Sequence, residues 1–202
     1  MGIAGSGTKG RLEGCDVGGN AAVGLEVNDG ADPLICSSLF HHGKNGGVIF
    51  NGNGTKGSLV RSLIYRHAGE AGVLSTQGAA PTISYNRIFE HAINVAFEGP
   101  STGGHLLSNA IFGGGQTGVA MFRGAEPLVE GNFIYGSGQV IYSHPHPFCP
   151  RPFCASPCPS LGKAIPFFFR LECPFALPLL VPLLTPCILM DLSKPNLIYP
   201  PF

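Results

Sequence analysis

The apolar positions of this chain recur as short β-prone triplets and show no helical period. Aliphatic residues stand at Leu12, Ile35, Leu59, Ile83, Leu106 and Val129, separated by 23, 24, 24, 23 and 23 residues. Five places after each lies a second apolar residue: Val17, Phe40, Ile64, Ile88, Ile111 and Ile134. A third apolar group follows at Leu25, Val48, Val73, Val95 and Val119, with Val140 starting a last one. Two places before each anchor the residue is Gly10, Pro33, Gly57, Pro81, Gly104 or Pro127, so Gly and Pro alternate without exception. The stretches "AAPTISYNRIF" and "AEPLVEGNFIY" are therefore alternate rungs of one ladder.

A 23–24-residue repeat with three short strands predicts an all-β right-handed parallel β-helix of about six coils. One coil cannot bury its inward side chains, but stacked coils about 4.8 Å apart share a continuous aliphatic column. The leucine-rich pattern Leu-x-x-Leu-x-Leu-x-x-Asn is missing, and the glycine density excludes an amphipathic helical repeat. Three places after the anchors stand Cys15, Ser38, Ser62, Asn86, Asn109 and Asn132. Short polar side chains at one corner are expected to hydrogen-bond along the axis, and Asn tolerates a left-handed corner. Ile3 lies seven residues before Gly10, as Phe50 lies seven before Gly57. Met1 to Ala4 thus reads as the last strand of a coil whose beginning is absent, which predicts an array truncated at its N-terminus.

Composition divides the chain. Of 30 Gly, 29 precede Tyr142, whereas 14 of 18 Pro and 5 of 7 Cys follow it. The expected organisation is a repeat domain over 1–142 and an irregular Pro-rich tail over 143–202 that is disordered or non-native. In the tail, Pro174, Pro178, Pro182 and Pro186 recur every four residues and oppose a membrane helix. His144, His146, Cys149, Cys154 and Cys158 follow no strong zinc spacing. "LPLLVPLL" shares the opening of an F-box, but Pro182 would break the helix it needs. Twelve basic residues balance twelve acidic ones, which gives no support to nucleic acid or an anionic membrane as partner. Met1 to Gly10 lacks the apolar core of a signal peptide, and free Cys15 and Cys36 fit a reducing compartment, cytoplasmic or nuclear. "MGIAGS" formally matches a myristoylation signal, although Ile3 is explained by the repeat, and the sequon at Asn53 matters only on a secretory route.

Candidate chemistry is sparse. Polysaccharide lyases and glycosidases need gathered carboxylates. Here Glu13 and Glu130 share a column five coils apart, and Asp29 and Asp32 flank one turn. No catalytic residue, metal site or cofactor is expected. His67 and His91 occupy the same place in consecutive coils and can stack; one reading is a two-His metal site or a pH-sensitive pair, and the favoured reading makes them solvated turn residues. The column six after the anchor, Gly18, His41, Tyr65, Phe89, Phe112 and Tyr135, follows an inward residue and so points outward. Five rings in consecutive coils would form an exposed stack spanning about 19 Å. Two readings are open: rings that stiffen the sheet, or a docking strip at His41, Tyr65, Phe89, Phe112 and Tyr135 for a protein or a sugar chain.

The frame "TKG-R-L-E-G", "ADP-L-I-C", "TKG-S-L-V", "AAP-T-I-S", "TGG-H-L-L", "AEP-L-V-E", with "N-x-I" ahead and "GV" later, resembles one family. It is similar to the β-helix region, of the carbohydrate-binding and sugar-hydrolase (CASH, pectin-lyase-like) type, of the large F-box only proteins. The likeness covers about Gly2 to Tyr142. It implies a non-catalytic, substrate-recruiting part of a ubiquitin ligase adaptor, with a protein client and ligase components as partners. The F-box and zinc-finger module of that family are not in this sequence. The alternatives are a carbohydrate-binding or polysaccharide-active β-helix and a fragment without independent function.

Overall fold

The computed structural model describes residues 1–69 and 71–143. These residues form nineteen parallel strands in three sheets, stacked as a β-solenoid of about six coils, with no helix among them. The first sheet stacks β2 (Arg11–Glu13), β5 (Leu34–Cys36), β8 (Ser58–Val60), β11 (Thr82–Ser84), β14 (His105–Leu107) and β17 (Leu128–Glu130). The second stacks β3 (Asp16–Gly18), β6 (Leu39–His41), β9 (Leu63–Tyr65), β12 (Arg87–Phe89), β15 (Ala110–Phe112) and β18 (Phe133–Tyr135). The third stacks β1 (Gly2–Ala4), β4 (Leu25–Asn28), β7 (Val48–Asn51), β10 (Ala71–Thr76), β13 (Ile93–Glu98), β16 (Thr117–Phe122) and β19 (Gln139–Ser143). The expected tail beyond this last strand lies outside the described residues.

Register follows the anchors. Leu12, Ile35, Leu59, Ile83, Leu106 and Val129 pair in line along the first sheet. The second column, Val17 to Ile134, pairs likewise. In the triplets of these two sheets only the middle side chain points inward, and Ile35, Leu59, Ile64, Ile83, Ile88, Leu106 and Ile111 are fully buried. Each such burial contributes about 1.5–3 kcal/mol, shared along one continuous core. The third sheet contributes a further inward column in which Phe50, Ser75 and Phe97 are consecutive and fully buried. In that sheet's final rung Ile141, rather than Val140, stands opposite Val119. Val140 is 48% exposed, which corrects the expected start of the last apolar group.

The corner ladder forms along its whole length. The backbone N–H of Cys15 donates to Ser38 Oγ, Ser38 to Ser62 Oγ, Ser62 to Asn86 Oδ1, Asn86 to Asn109 Oδ1 and Asn109 to Asn132 Oδ1. The left-handed conformation expected of the Asn sits one residue earlier, at Gly14, Ser37, Arg61, Tyr85, Ser108 and Gly131, with φ of 49–63°. The ladder side chain satisfies an N–H of the preceding coil, and the residue before it turns the chain.

A second alternation accompanies Gly and Pro. Thr8, Ala31, Thr55, Ala79, Thr102 and Ala125 occupy one position in successive coils. In the Ala coils two adjacent left-handed residues, Asp29–Gly30, Gln77–Gly78 and Arg123–Gly124, make a tight turn closed by the Ala N–H. In the Thr coils the hydroxyl donates to the carbonyl four residues back, from Thr8 to Ala4, Thr55 to Asn51 and Thr102 to Glu98. Thr55 and Thr102 also accept the Gly30 and Gly78 N–H of the preceding coil, at 3.0 and 2.8 Å. Two turn types alternate and each Thr coil caps the Ala coil before it, so the structural unit is a coil pair.

At Gly57 and Gly104 adjacent coils meet closely, each glycine lying against the proline of the coil before it, Pro33 and Pro81. Gly104 has φ of +98°, and a Cβ on it would lie 2.2 Å from the Pro81 carbonyl oxygen. Gly104→Ala is expected to lower stability by about 2 kcal/mol through strain and displacement of the Pro81 carbonyl. Urea unfolding measures it, and an unchanged midpoint would refute this close approach.

Candidate functional site

The outer face of the second sheet carries the predicted rings, positioned by strand alternation one residue beyond the inward column. The rings of His41 and Tyr65, Tyr65 and Phe89, Phe89 and Phe112, and Phe112 and Tyr135 stack with centroids 5.4, 5.2, 4.7 and 5.2 Å apart. Their planes are within 23° of parallel throughout. All five sequence-predicted residues thus form one pile about 20 Å long, in keeping with the inter-strand spacing. His41, Tyr65, Phe89 and Phe112 are half-buried and Tyr135 is 38% exposed. Each internal ring has both faces covered by its neighbours, so it presents an edge to solvent.

One end of the pile is closed by a small residue. Gly18 holds the equivalent place in the preceding coil, and a Cβ there would meet the His41 ring at 2.3 Å. His41 is fixed by Asp16, whose Oδ1 lies 2.7 Å from Nε2, and by His42, whose Nδ1 lies 2.9 Å from His41 Nδ1. Beside the rings, Arg66 and Glu90 form an ion pair, and the Arg87 guanidinium carbon sits 6.0 Å from the Phe112 centroid.

A second outward column completes the face and was missed in the sequence pattern. Asp16, Leu39, Leu63, Arg87, Ala110 and Phe133 stand two residues before the rings, on the same side of the same strands. Leu39 is 36% exposed and Phe133 66%, and the Phe133 ring lies 4.7 Å from that of Tyr135. The signal was available: in a three-residue strand with an inward centre, both flanking residues face out. Elsewhere, a shallow depression of about 330 Å³ lies over the outer face of the third sheet, lined by Ile49, Leu74 and Ala96 and edged by Asn45 and Glu98.

His67 and His91 are stacked as their spacing allows, with centroids 5.5 Å apart and planes at 7°. They are not solvated turn residues, because they are only 4% and 3% exposed. The rings fill space left by glycine: a Cβ on Gly43 or Gly47 would press on His67, and one on Gly72 on His91. His67 Nδ1 accepts the Gly43 N–H at 3.2 Å, so the neutral ring carries its proton on Nε2. Asn94 donates its amide to the Phe112 carbonyl and turns Oδ1 to His91 Nδ1 at 3.0 Å, so His91 is protonated at Nδ1. Both Nε2 atoms are buried without a partner. Burial pushes the His91 imidazole from 6.5 down to about 4, against the opposing hydrogen bond that its Nδ1–H donates to Asn94 Oδ1. Burial likewise pushes His67 below its ordinary value.

The carboxylates remain dispersed. Glu13 pairs with Arg11 at 2.7 Å, which holds its carboxyl below the usual range, and Glu98 pairs with Arg123 at 2.8 Å. Cys15 and Cys36 are free thiols. Among the described residues no three His, Cys, Asp or Glu side chains are grouped to hold a metal ion. Comparison of the chain with protein-family models, with curated proteins and with solved structures finds no match. Its own geometry therefore defines it, as a parallel β-solenoid with a ring-lined sheet face.

Proposed function

We propose that the solenoid is a non-catalytic protein-binding module whose client docks on the outer face of the second sheet. The observation that carries this reading is the continuous pile of five stacked rings, flanked by Leu39, Leu63, Ala110 and Phe133 with Arg87 standing between Leu63 and Ala110. Covering such a surface with a protein segment removes ring edges and aliphatic side chains from water together. A sugar chain would need open aromatic faces to stack on, and the internal rings have none. The dispersed, paired carboxylates favour binding over glycoside chemistry.

The finer reading is a substrate-recruiting β-helix of the F-box adaptor type, working in a reducing compartment with ubiquitin ligase components. The Gly/Pro alternation of the repeat frame supports it.

Tyr65→Ala combined with Phe89→Ala is expected to abolish client capture while the array stays folded by far-UV circular dichroism. The measurement is quantitative co-precipitation of clients identified with the wild-type chain. If those clients bind the double variant equally well, the stack only stiffens the sheet and the proposal fails. Quenching of Tyr fluorescence by pectin or glucan oligosaccharides would instead favour the sugar-binding alternative.

A further inference from the structure

We propose that His41 and His42 form a binding site for a divalent first-row transition ion, with copper(II) the tightest-bound member. The inference is independent of whether a client docks on the rings. His41 Nδ1 and His42 Nδ1 lie 2.9 Å apart, with ring planes at 82°. Two metal–imidazole bonds of about 2.0–2.1 Å meeting at a right angle place their nitrogens about 2.9 Å apart. That is the spacing of neighbouring positions around tetragonal copper(II) or nickel(II), and copper(II) heads the affinity order for nitrogen sites.

The proton arrangement already suits a metal. His41 turns Nε2 to Asp16 Oδ1 at 2.7 Å, so its proton belongs on Nε2 and its Nδ1 lone pair is free to accept. The contact with His42 is then a hydrogen bond from His42 Nδ1–H to His41 Nδ1. An incoming ion replaces that hydrogen, the His42 proton moves to Nε2, and no net proton is released. His41 stays held by Asp16, and the exposed His42 ring turns about its Cβ–Cγ bond so that its lone pair converges with that of His41. The carboxylate on the far nitrogen of His41 is the arrangement that orients metal-bound histidines and raises their basicity. Two imidazoles leave the other positions to water or to a donor brought by a partner. The buried His67–His91 pair cannot do this: each Nδ1 already has a partner and the rings lie parallel, 5.5 Å apart.

The test uses the full chain without an affinity tag, titrated with copper(II) chloride against glycine as a weak competitor. Calorimetry counts bound ions and electron paramagnetic resonance reports nitrogen ligation. His42→Gly is the discriminating variant, because Gly19, Gly113 and Gly136 occupy the same left-handed corner in other coils. Should it fold poorly, His42→Asn removes the imidazole with a residue that also tolerates this conformation. Wild type is expected to bind one ion more than either variant, since any other His or Cys site counts equally in all three. Asp16→Asn is expected to weaken that ion about tenfold or more. Equal numbers and affinities in wild type and the His42 variant would overturn the site. Unchanged affinity in Asp16→Asn would overturn the role given to the carboxylate.

Discussion

Asn109→Ala is expected to lower the unfolding free energy by about 3–5 kcal/mol, among the largest losses available to a single polar substitution. The side chain is 2% exposed and every polar atom of its amide is used. Its Oδ1 accepts from the Asn86 backbone N–H at 2.9 Å and from Asn86 Nδ2 at 3.1 Å. Its Nδ2 donates to the Ile83 carbonyl and to Asn132 Oδ1, both at 2.9 Å. Alanine leaves the Asn86 N–H buried without a partner, at about 1–3 kcal/mol, and removes the second hydrogen bonds of the Ile83 carbonyl and of Asn132 Oδ1, worth about 0.5–1.5 kcal/mol each. Asn109→Ser is expected to lose about half as much, because Ser38 and Ser62 already serve as acceptors for the coil before them. Equilibrium urea unfolding of the three proteins checks the ranking. A loss under about 1 kcal/mol for Asn109→Ala would show that the ladder is not cooperative between coils.

Stability is expected to fall steeply with acid, by about 3 kcal/mol between pH 6.5 and 4 from His91 alone. Its folded value is depressed to about 4 from the ordinary 6.5. Above 6.5 the ring is neutral in both states and contributes no pH dependence. Below 6.5 the unfolded chain takes up a proton that the folded chain refuses, so stability drops until the folded group itself titrates. His67, also shifted down by burial, acts in the same direction over the window below 6.5. Around the pair, Glu90 favours the charged form of His91 while His67 disfavours it, and His41 and His42 disfavour the charged form of His67. The Glu13 carboxyl, held down by Arg11, also loses stabilisation with acid, but only as pH falls through the carboxylate range. Unfolding free energies measured at intervals from pH 7 to 4 separate the two windows. A double variant with Gln at positions 67 and 91 is expected to flatten the upper window. A wild-type profile already flat from pH 6.5 to 5 would contradict the buried placement.

The coil, its three strands and the inward columns were legible because each rests on a local rule repeated in phase. Ile35 and Ile83 read as core residues without coordinates because their equivalents recur at a fixed interval, and a one-residue slip would expose the whole column. The outward ring column followed from the same alternation. The Thr/Ala alternation was equally present in the sequence, but its meaning was not, because Thr55 and Thr102 act on glycines of the preceding coil. His67 and His91 were placed in solvent for a similar reason. Their polarity suggests exposure, whereas Gly43, Gly47 and Gly72 hollow the space that encloses them. The left-handed corner was assigned to the Asn when Arg61 and Tyr85 adopt it.

The sequence by itself determined the period, the number of coils and which side chains share a column, since strand alternation and repeat length are properties of one chain read along its length. Only the tertiary structure decided what each column touches across coils: which turn caps which, which ring lies over a glycine, and which carboxylate meets His41. Those contacts join residues 23–25 apart, and their energy depends on the space left by a neighbour rather than on the residue's own character.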